Sequence, residues 1–254
     1  MATIIKDLSE WTKLRRELKA SNKKIGFVPT MGALHFGHAS LLERCHKEND
    51  VTLLSIYVNP TQFDNKEDLE KYPATLEADA KLARGFGTDY ILAPNYAQMY
   101  PDAYRYRVTE GDLSRKLCGA HRPGHFDGVL TVVMKLLNLA GADRAYFGEK
   151  DFQQLELVRG MAQAFFIETE IVPCPTVREA DGLALSSRNV RLTADEREKA
   201  PLFHRLLAGR DSVEEVRRKL GEAGFRVDYV EDIGQRRYGA AHLGNVRLID
   251  NVER

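Results

Sequence analysis

Short apolar runs alternate with longer segments of helical periodicity between residues 25 and 172. The runs that predict strands occupy residues 24–28, 51–58, 89–93, 144–147 and 167–172, and several are rich in Val and Ile. Two of the intervening segments, 37–47 and 151–165, place apolar residues on one face and predict helices. This alternation is typical of an α/β fold in which crossover helices connect the strands of a parallel sheet.

The pattern changes near residue 190. Residues 191–226 are denser in charged residues than the chain as a whole, which predicts helices with a broad solvated face. Thr193 and Glu196 have the spacing of a capping box for the first of these helices. Apolar runs at 227–230 and 246–249 predict short strands, and residues 225–247 leave little room for a full set. The sequence therefore predicts a second, smaller α+β domain at the C-terminus.

Charge and hydropathy exclude several classes of partner. The 254 residues include 37 Lys and Arg and 37 Asp and Glu, so no net field attracts nucleic acid or an anionic membrane. The longest apolar stretch, 129–140, is interrupted by Lys135 and Asn138 and is shorter than the ~20 residues that span a bilayer. We therefore expect no nucleic-acid partner and no membrane partner.

Two features bear on localisation. Residues 1–11 carry charges where a secretion signal would have an apolar core. The three cysteines, Cys45, Cys118 and Cys174, are odd in number and widely separated, which argues against a disulfide framework or a zinc knuckle. We expect free thiols and a cytoplasmic protein.

The segment GFVPTMGALHFGH, residues 26–38, carries the most specific chemical signal. It joins a buried strand through a glycine-containing turn to a helix start that bears His35 and His38. In open α/β folds ligands bind beyond the carboxyl ends of the strands, where a helix N-terminus offers unpaired N–H groups and about half a positive charge. Gly32 and Gly37 allow close backbone approach, and two imidazoles can donate to phosphate oxygens. Outside such a context, two histidines three apart are more often a metal-ligand fragment or a chance surface pair.

PTMGALHFGH resembles the HxGH signature of the nucleotidylyltransferase superfamily, in the form found in the pantoate–beta-alanine ligase family. Four further segments are similar to that family in order and spacing: SIYVNPTQF at 55–63, RPGHFDGVLTVVMKL at 122–136, YFGEKDFQQL at 146–155 and DGLALSSRN at 181–189. The resemblance covers residues 25–200 and continues more loosely to RLIDN at 247–251. It implies a Rossmann-like nucleotide- and pantoate-binding domain at 1–175 and a C-terminal lid domain at 176–254.

The resemblance implies an ATP-dependent, AMP-forming ligation in two steps. The carboxylate of pantoate attacks the α-phosphorus of ATP and releases pyrophosphate, and the amine of β-alanine then displaces AMP from the pantoyl adenylate. Mg²⁺ is the implied cofactor, because it shares the compensation of the phosphate charge. A homodimer formed through the N-terminal domain is also implied.

The same resemblance assigns roles to individual residues. His38 is expected to act as a proton donor or a fixed hydrogen-bond donor, and Arg188 stands where the superfamily's KMSKS-like loop usually has lysine. The full catalytic set is His35, His38, Lys150, Ser186, Ser187 and Arg188. The residues expected to bind ATP are Met31, Gly32, Ala33, Leu34, His35, Phe36, Gly37, His38, Gly148, Glu149, Lys150, Asp151, Val177, Leu185, Ser186, Ser187 and Arg188.

Gln62 and Gln154 are the expected pantoate-binding residues, because an amide can both donate to and accept from a hydroxylated acid. Thr61 precedes Gln62 where Met is common in the family. Met31, Arg122 and His125 are secondary candidates near the substrates. Asn59 and Asp79 are candidates for holding Mg²⁺ through water.

Three other interpretations remain open. Another HxGH nucleotidylyltransferase would not need Gln62 and Gln154 but would need extra basic residues for a phosphate-bearing acceptor. A tRNA synthetase fragment would need an RNA-binding surface, which a zero net charge does not supply. A non-catalytic nucleotide-binding protein would be expected to lack at least one of four residues, namely His35, His38, Lys150 and Arg188.

Overall fold

A computed structural model describes residues 2–73 and 75–254. Among these residues a six-stranded parallel sheet has the spatial order β1-β4-β3-β2-β5-β6. Its strands are β1 Thr3–Ile5, β2 Ile25–Thr30, β3 Val51–Ile56, β4 Tyr90–Leu92, β5 Arg144–Gly148 and β6 Glu170–Cys174. The last five confirm the predicted strands, with ends that shift by up to about three residues, as is common for element boundaries. The edge strand β1 is absent from the sequence-based prediction.

Helices connect the strands of this sheet. They are α1 Leu8–Ala20, α2 Phe36–Glu48, α3 Lys66–Glu70, α4 Leu76–Gly85, α5 Tyr96–Met99, α6 Cys118–His121, α7 His125–Ala140 and α8 Phe152–Ala164. The predicted helices at 37–47 and 151–165 correspond to α2 and α8. The helix α1, which the sequence-based prediction lacks, begins after Asp7, whose carboxylate accepts a hydrogen bond from the backbone N–H of Ser9 (2.8 Å).

Both faces of the sheet are covered, because successive residues of a strand point to opposite sides. Phe27 and Leu53 belong to an apolar cluster that includes residues of α1, α7 and α8. The next residues along the chain, Val28 and Leu54, pack with residues of α2 and α4. This burial on two sides explains why the central strands are apolar runs rather than alternating patterns.

The direction of strand addition reverses between β2 and β5. The chain proceeds from β2 to β3 and β4 on one side, and later to β5 and β6 on the other. The two strands pair at Gly26 and Phe27, near the start of β2, and not at their carboxyl ends, where β2 ends at Thr30 and β5 at Gly148. Such a reversal point is the usual ligand site of an open α/β sheet.

The C-terminal part has its own helices and an antiparallel sheet. Its elements are α9 Ala194–Lys199, α10 Pro201–Ala208, α11 Val213–Glu222, β7 Arg226–Ile233, β8 Arg236–Leu243 and β9 Val246–Glu253. Thr193 and Glu196 form the predicted capping box of α9. The expectation that residues 225–247 leave little room for strands is wrong, because each connecting turn takes only two residues and begins with a glycine at positive φ, Gly234 or Gly244.

The α/β class and the smaller C-terminal sheet are thus confirmed. Met1, with which the first predicted domain begins, lies outside the described residues. Across 2–73 and 75–254, no helix is both long enough and apolar enough to cross a bilayer.

Candidate active site

His35 and His38 together cap the N-terminus of α2. The Nδ1 atom of His35 accepts a hydrogen bond from the backbone N–H of Gly37 (3.1 Å), and that of His38 accepts from the backbone N–H of His35 (3.3 Å). The two ring centroids are 4.2 Å apart. A side chain at Gly37 would not fit, because its Cβ would lie 2.8 Å from Cε1 of His35. The glycine of the motif therefore lets the first imidazole fold back over the helix start.

These contacts determine where each ring carries its proton. A backbone N–H can only donate, so each Nδ1 is unprotonated and each neutral ring is an Nε2–H tautomer. Burial, followed by the charge of Lys150, lowers the pKa of His35 from 6.5 to about 4. Burial, with the charges of His35 and Lys150, lowers the pKa of His38 to about 3. Near neutral pH both rings are uncharged donors that line the cleft.

Lys150 lies in the 3₁₀ turn Glu149–Asp151, directly after β5. Its ammonium is 3.8 Å from the carboxylate of Asp151 and lines the same cleft as the histidines. The side chain of Asn251 in β9 donates hydrogen bonds to the carbonyl oxygens of Glu149 (2.8 Å) and Lys150 (3.0 Å). The C-terminal sheet therefore holds the turn that carries the lysine, a role for Asn251 that the sequence analysis missed.

Gln62 and Gln154 reach the cleft from different elements. Gln62 ends the 3₁₀ turn Pro60–Gln62 beyond β3, and Gln154 lies in the first turn of α8. The Oε1 atom of Gln62 accepts a hydrogen bond from Nδ2 of Asn59 (3.0 Å), and its backbone oxygen accepts one from Nδ1 of His125 (2.7 Å). Gln62 is thus held both through its side chain and through its backbone.

His125 has the opposite tautomer to the two cap histidines. Its Nδ1 faces a carbonyl oxygen, which can only accept, while its Nε2 lies 3.1 Å from a guanidinium nitrogen of Arg122, which can only donate. Burial, with the charge of Arg122, lowers the pKa of His125 to about 4. Arg122 also pairs with Asp64 (2.7 Å). The two secondary candidates therefore support the backbone at Gln62.

Ser186, Ser187 and Arg188 form another wall of the cleft. The guanidinium of Arg188 pairs with Asp68 of α3 (2.8 Å), which also pairs with Arg191 (2.7 Å). Sequence reasoning missed Asp68, because an acidic residue in a short polar helix gives no distinguishing signal.

The cleft unites most of the predicted residues. It is lined by Met31, His35, Gly37, His38, Gln62, Arg122, His125, Gly148, Lys150, Asp151, Gln154, Val177, Leu185, Ser186, Ser187 and Arg188. Of the residues expected to bind ATP, the structure places five away from this lining, namely Gly32, Ala33, Leu34, Phe36 and Glu149.

Ala33 and Leu34 among these five, and the magnesium candidates Asp79 and Asn59, form hydrogen bonds within the protein instead. The backbone N–H groups of Ala33 (3.0 Å) and Leu34 (2.8 Å) donate to the buried carboxylate of Asp79. Asp79 therefore supports the turn that leads to His35. Asn59 is also buried, and its side chain bonds to neighbouring protein groups. Neither Asn59 nor Asp79 lies in the cleft lining, so their positions do not support a role in holding Mg²⁺.

The cleft has a volume of about 660 Å³, within the range of small-ligand sites. Two neutral donors at a helix N-terminus, an ammonium, a guanidinium and two hydroxyls converge on it. Fixed donors and cations of this kind stabilise negative charge that grows on phosphate oxygens during a reaction. The amides of Gln62 and Gln154 suit a small hydroxylated ligand beside that phosphate site.

Known proteins similar to this chain resemble it along its whole length. A sequence model of the family described as pantoate-beta-alanine ligase matches residues 3–253. A pantothenate synthetase from Bdellovibrio bacteriovorus is 54% identical over 253 residues, which cover 100% of both chains. One from Coxiella burnetii is 50% identical over 252 residues, or 99% of this chain and 97% of the relative.

Solved structures agree with these relatives. The pantoate-beta-alanine ligase from Francisella tularensis, complexed with beta-gamma ATP and beta-alanine, superposes with a TM-score of 0.95 at 40% identity, covering 100% of this chain and 98% of that one. A pantothenate synthetase from Thermus thermophilus superposes with a TM-score of 0.89 at 42% identity, covering 100% of this chain and 99% of that one.

Proposed function

The chain belongs to the pantoate-beta-alanine ligase family, and we propose that its cleft joins pantoate to β-alanine in an ATP-dependent reaction that releases AMP and pyrophosphate. The observation that carries the proposal is the pair of neutral histidines at the start of α2, in one cleft with Lys150 at the end of β5. Another HxGH nucleotidylyltransferase is not favoured, because the full-length relatives are pantothenate synthetases.

In the first step a carboxylate oxygen of pantoate attacks the α-phosphorus of ATP. A bond forms between that oxygen and phosphorus, the bond from the α-phosphorus to the bridging oxygen breaks, and pyrophosphate leaves. The Nε2–H groups of His35 and His38 donate to phosphate oxygens, and Lys150 and Arg188 compensate the charge of the leaving group. Because both imidazoles are neutral, they act as fixed hydrogen-bond donors rather than as acids.

In the second step the amine of β-alanine attacks the carbonyl carbon of the pantoyl adenylate. The new amide forms as the bond from that carbon to the phosphate oxygen breaks, and AMP leaves with its electron pair. The nitrogen loses a proton to solvent. Donors that hold the α-phosphate in the first step also stabilise the phosphate of the departing AMP, so one set of residues serves both steps.

Magnesium belongs to the same proposal. Several carboxylates line the cleft, and that of Asp151 is the one beside Lys150. Oxygen donors of this type together with nucleotide phosphates are the ligands that Mg²⁺ prefers. When bound, the ion would neutralise charge on the phosphates of ATP. Asp151 is therefore a better candidate than Asn59 or Asp79.

The expectations for oligomeric state, location and domain division are also part of this proposal. We carry forward a homodimer and a division into residues 1–175 and a lid at 176–254, which rest on the family resemblance, and a cytoplasmic location, which rests on the charged N-terminal residues and the spacing of the cysteines. Light scattering coupled to size-exclusion chromatography tests the dimer directly: a mass of one chain, 28.7 kDa, at micromolar concentration would contradict it.

Product analysis tests the reaction. We expect AMP, pyrophosphate and the amide when the protein is incubated with ATP, Mg²⁺, pantoate and β-alanine, and pyrophosphate roughly stoichiometric with protein when β-alanine is omitted. The control without pantoate should release neither AMP nor pyrophosphate. Stoichiometric ADP on chromatography would contradict the adenylate mechanism, whereas its absence would agree with the lack of a P-loop motif in the sequence.

A further inference from the structure

Asn59 is the centre of a buried hydrogen-bond network behind the pantoate side of the cleft. Its Oδ1 lies 2.8 Å from the hydroxyl of Tyr100 and 3.0 Å from the hydroxyl of Thr61, and these two hydroxyls are 3.2 Å apart. Its Nδ2 lies 3.0 Å from Oε1 of Gln62 and 3.2 Å from the carbonyl oxygen of Gly128 in α7. Asn59 and Tyr100 are both buried.

The orientation of both amides follows from this network. The carbonyl of Gly128 can only accept, so the Asn59 atom that faces it is the nitrogen, and the oxygen faces the two hydroxyls. The second N–H of that nitrogen is directed at Gln62, so the Gln62 atom that receives it is Oε1. The Nε2 group of Gln62 is therefore left for the cleft, which Gln62 lines.

We propose that Thr61 and Tyr100 are positioning residues for pantoate, because their hydroxyls hold Asn59 so that Gln62 presents its amide N–H groups to an acceptor oxygen of that substrate. This inference rests on the proposed function.

The first test compares two variants in which Thr61 is replaced by a residue of similar size. Thr61→Val removes the hydroxyl and keeps the shape, and we expect the KM for pantoate to rise about 3- to 10-fold, the factor expected for one neutral hydrogen bond. The KM for ATP and kcat should stay within about twofold. Thr61→Ser keeps the hydroxyl and should retain the pantoate KM of the natural protein. A purely structural role would shift both substrates together.

The second test removes both hydroxyls. Tyr100→Phe alone should raise the KM for pantoate about as much as Thr61→Val does, because each single variant keeps one of the two hydroxyls that donate to Asn59. The double variant leaves Oδ1 of Asn59 without a donor, and its pantoate kcat/KM should fall by more than the product of the two single losses. If Tyr100→Phe does not fold, the comparison of valine and serine at position 61 decides the question.

A cycle with Gln62→Ala tests whether Thr61 acts through that amide. In the Gln62→Ala background, Thr61→Val should leave the pantoate kcat/KM unchanged, whereas an undiminished loss would overturn the proposal. A Thr61→Val variant with natural pantoate kinetics would overturn it as well. If the natural protein itself forms no AMP with pantoate, the proposed function fails before any variant is compared, so the two failures are distinguishable.

Discussion

Which ring nitrogen of each cleft histidine carries the proton depends on the group that faces that nitrogen. His35 and His38 accept backbone N–H groups at Nδ1 and keep their proton on Nε2, whereas His125 donates from Nδ1 to a carbonyl. All three have a pKa well below 6.5, chiefly because burial disfavours the charged ring. At this scale the two cap histidines are preorganised neutral donors.

The pH dependence should reflect these low pKa values. Because His35 and His38 take up a proton only as the pH falls toward 4, pantoate-dependent exchange of pyrophosphate into ATP should show no histidine titration between about pH 5.5 and 8. An inflection near pH 6.5 that disappears in His38→Ala would contradict this. Nitrogen chemical shifts of labelled histidine should independently report Nε2–H for the two cap residues.

The same low pKa values affect the pH dependence of stability. In the unfolded chain these rings have an ordinary pKa near 6.5, so between about pH 6.5 and 4 the unfolded state binds more protons than the folded state. The contribution of these rings to folding stability should therefore be greatest above pH 6.5 and should fall as the pH drops toward 4. Chemical denaturation at a series of pH values measures this change.

Removal of one donor should slow the first step strongly. We expect His38→Ala and Lys150→Ala each to lower the pyrophosphate exchange rate by about 10²- to 10³-fold, as is typical for a preorganised group that faces developing charge. The matched controls are His46→Ala, an exposed histidine on the same helix, and Lys81→Ala, an exposed lysine on α4. Natural exchange rates in both active-site variants, with unchanged circular dichroism, would show that the roles are wrongly assigned.

At the scale of elements, the strand β9 and the turn after β5 form one unit. Asn251 donates to two carbonyl oxygens of that turn and accepts from Arg236 (2.6 Å), whose guanidinium lies 3.8 Å from the ring centroid of Phe152. The position of Lys150 therefore depends on a strand about one hundred residues further along the chain.

Loss of this connection should weaken the use of ATP. We expect Asn251→Ala to raise the KM for ATP about 3- to 30-fold, the loss of one or two neutral hydrogen bonds, while the KM for pantoate changes less than twofold. Asn138→Ala is the control, because that exposed side chain bonds to a carbonyl of its own helix (3.0 Å). Equal shifts for both substrates in steady-state kinetics would contradict a specific effect on the phosphate side.

At the scale of the whole molecule, the two parts share an apolar core. Tyr229 and Ala240 of the C-terminal sheet belong to the same cluster as Trp11 and Leu155. The hydroxyl of Tyr229 also lies 3.0 Å from Sγ of Cys118 in the N-terminal part. Burial shared in this way couples the stability of the two parts.

Unfolding should accordingly be a single transition. We expect calorimetry to show one heat-absorption peak, and Tyr229→Ala to lower the free energy of unfolding by roughly 3 kcal/mol through loss of buried aromatic packing. Tyr106→Ala, at a position that is 76% exposed, should change it by less than about 0.5 kcal/mol. Two resolved transitions, with only one shifted by Tyr229→Ala, would show that the parts unfold independently.

The sequence by itself determined the fold class and named many of the residues that line the cleft. Strands buried on both faces must be apolar runs, and a helix packed on one face must have apolar residues every three to four positions. The elements β2 to β6, α2 and α8 were therefore all predictable. The residues of the HxGH and SSR segments were identifiable because each motif is local, with its chemistry within a few neighbouring positions. The strand β8 was not, since RRYGAAHL mixes small and charged residues without clear alternation.

Only the tertiary structure decided which distant residues meet. Asp79 beneath the turn at Ala33, Asp68 beside Arg188 and Asn251 beneath Lys150 are each separated from their partners by 45 to 120 positions. An acidic or amide side chain has the same local pattern wherever it packs, so its partner cannot be inferred from its neighbours in sequence. The tautomer of His125 also depends on a distant contact, with the carbonyl oxygen of Gln62, whereas those of His35 and His38 depend on backbone N–H groups two and three positions away.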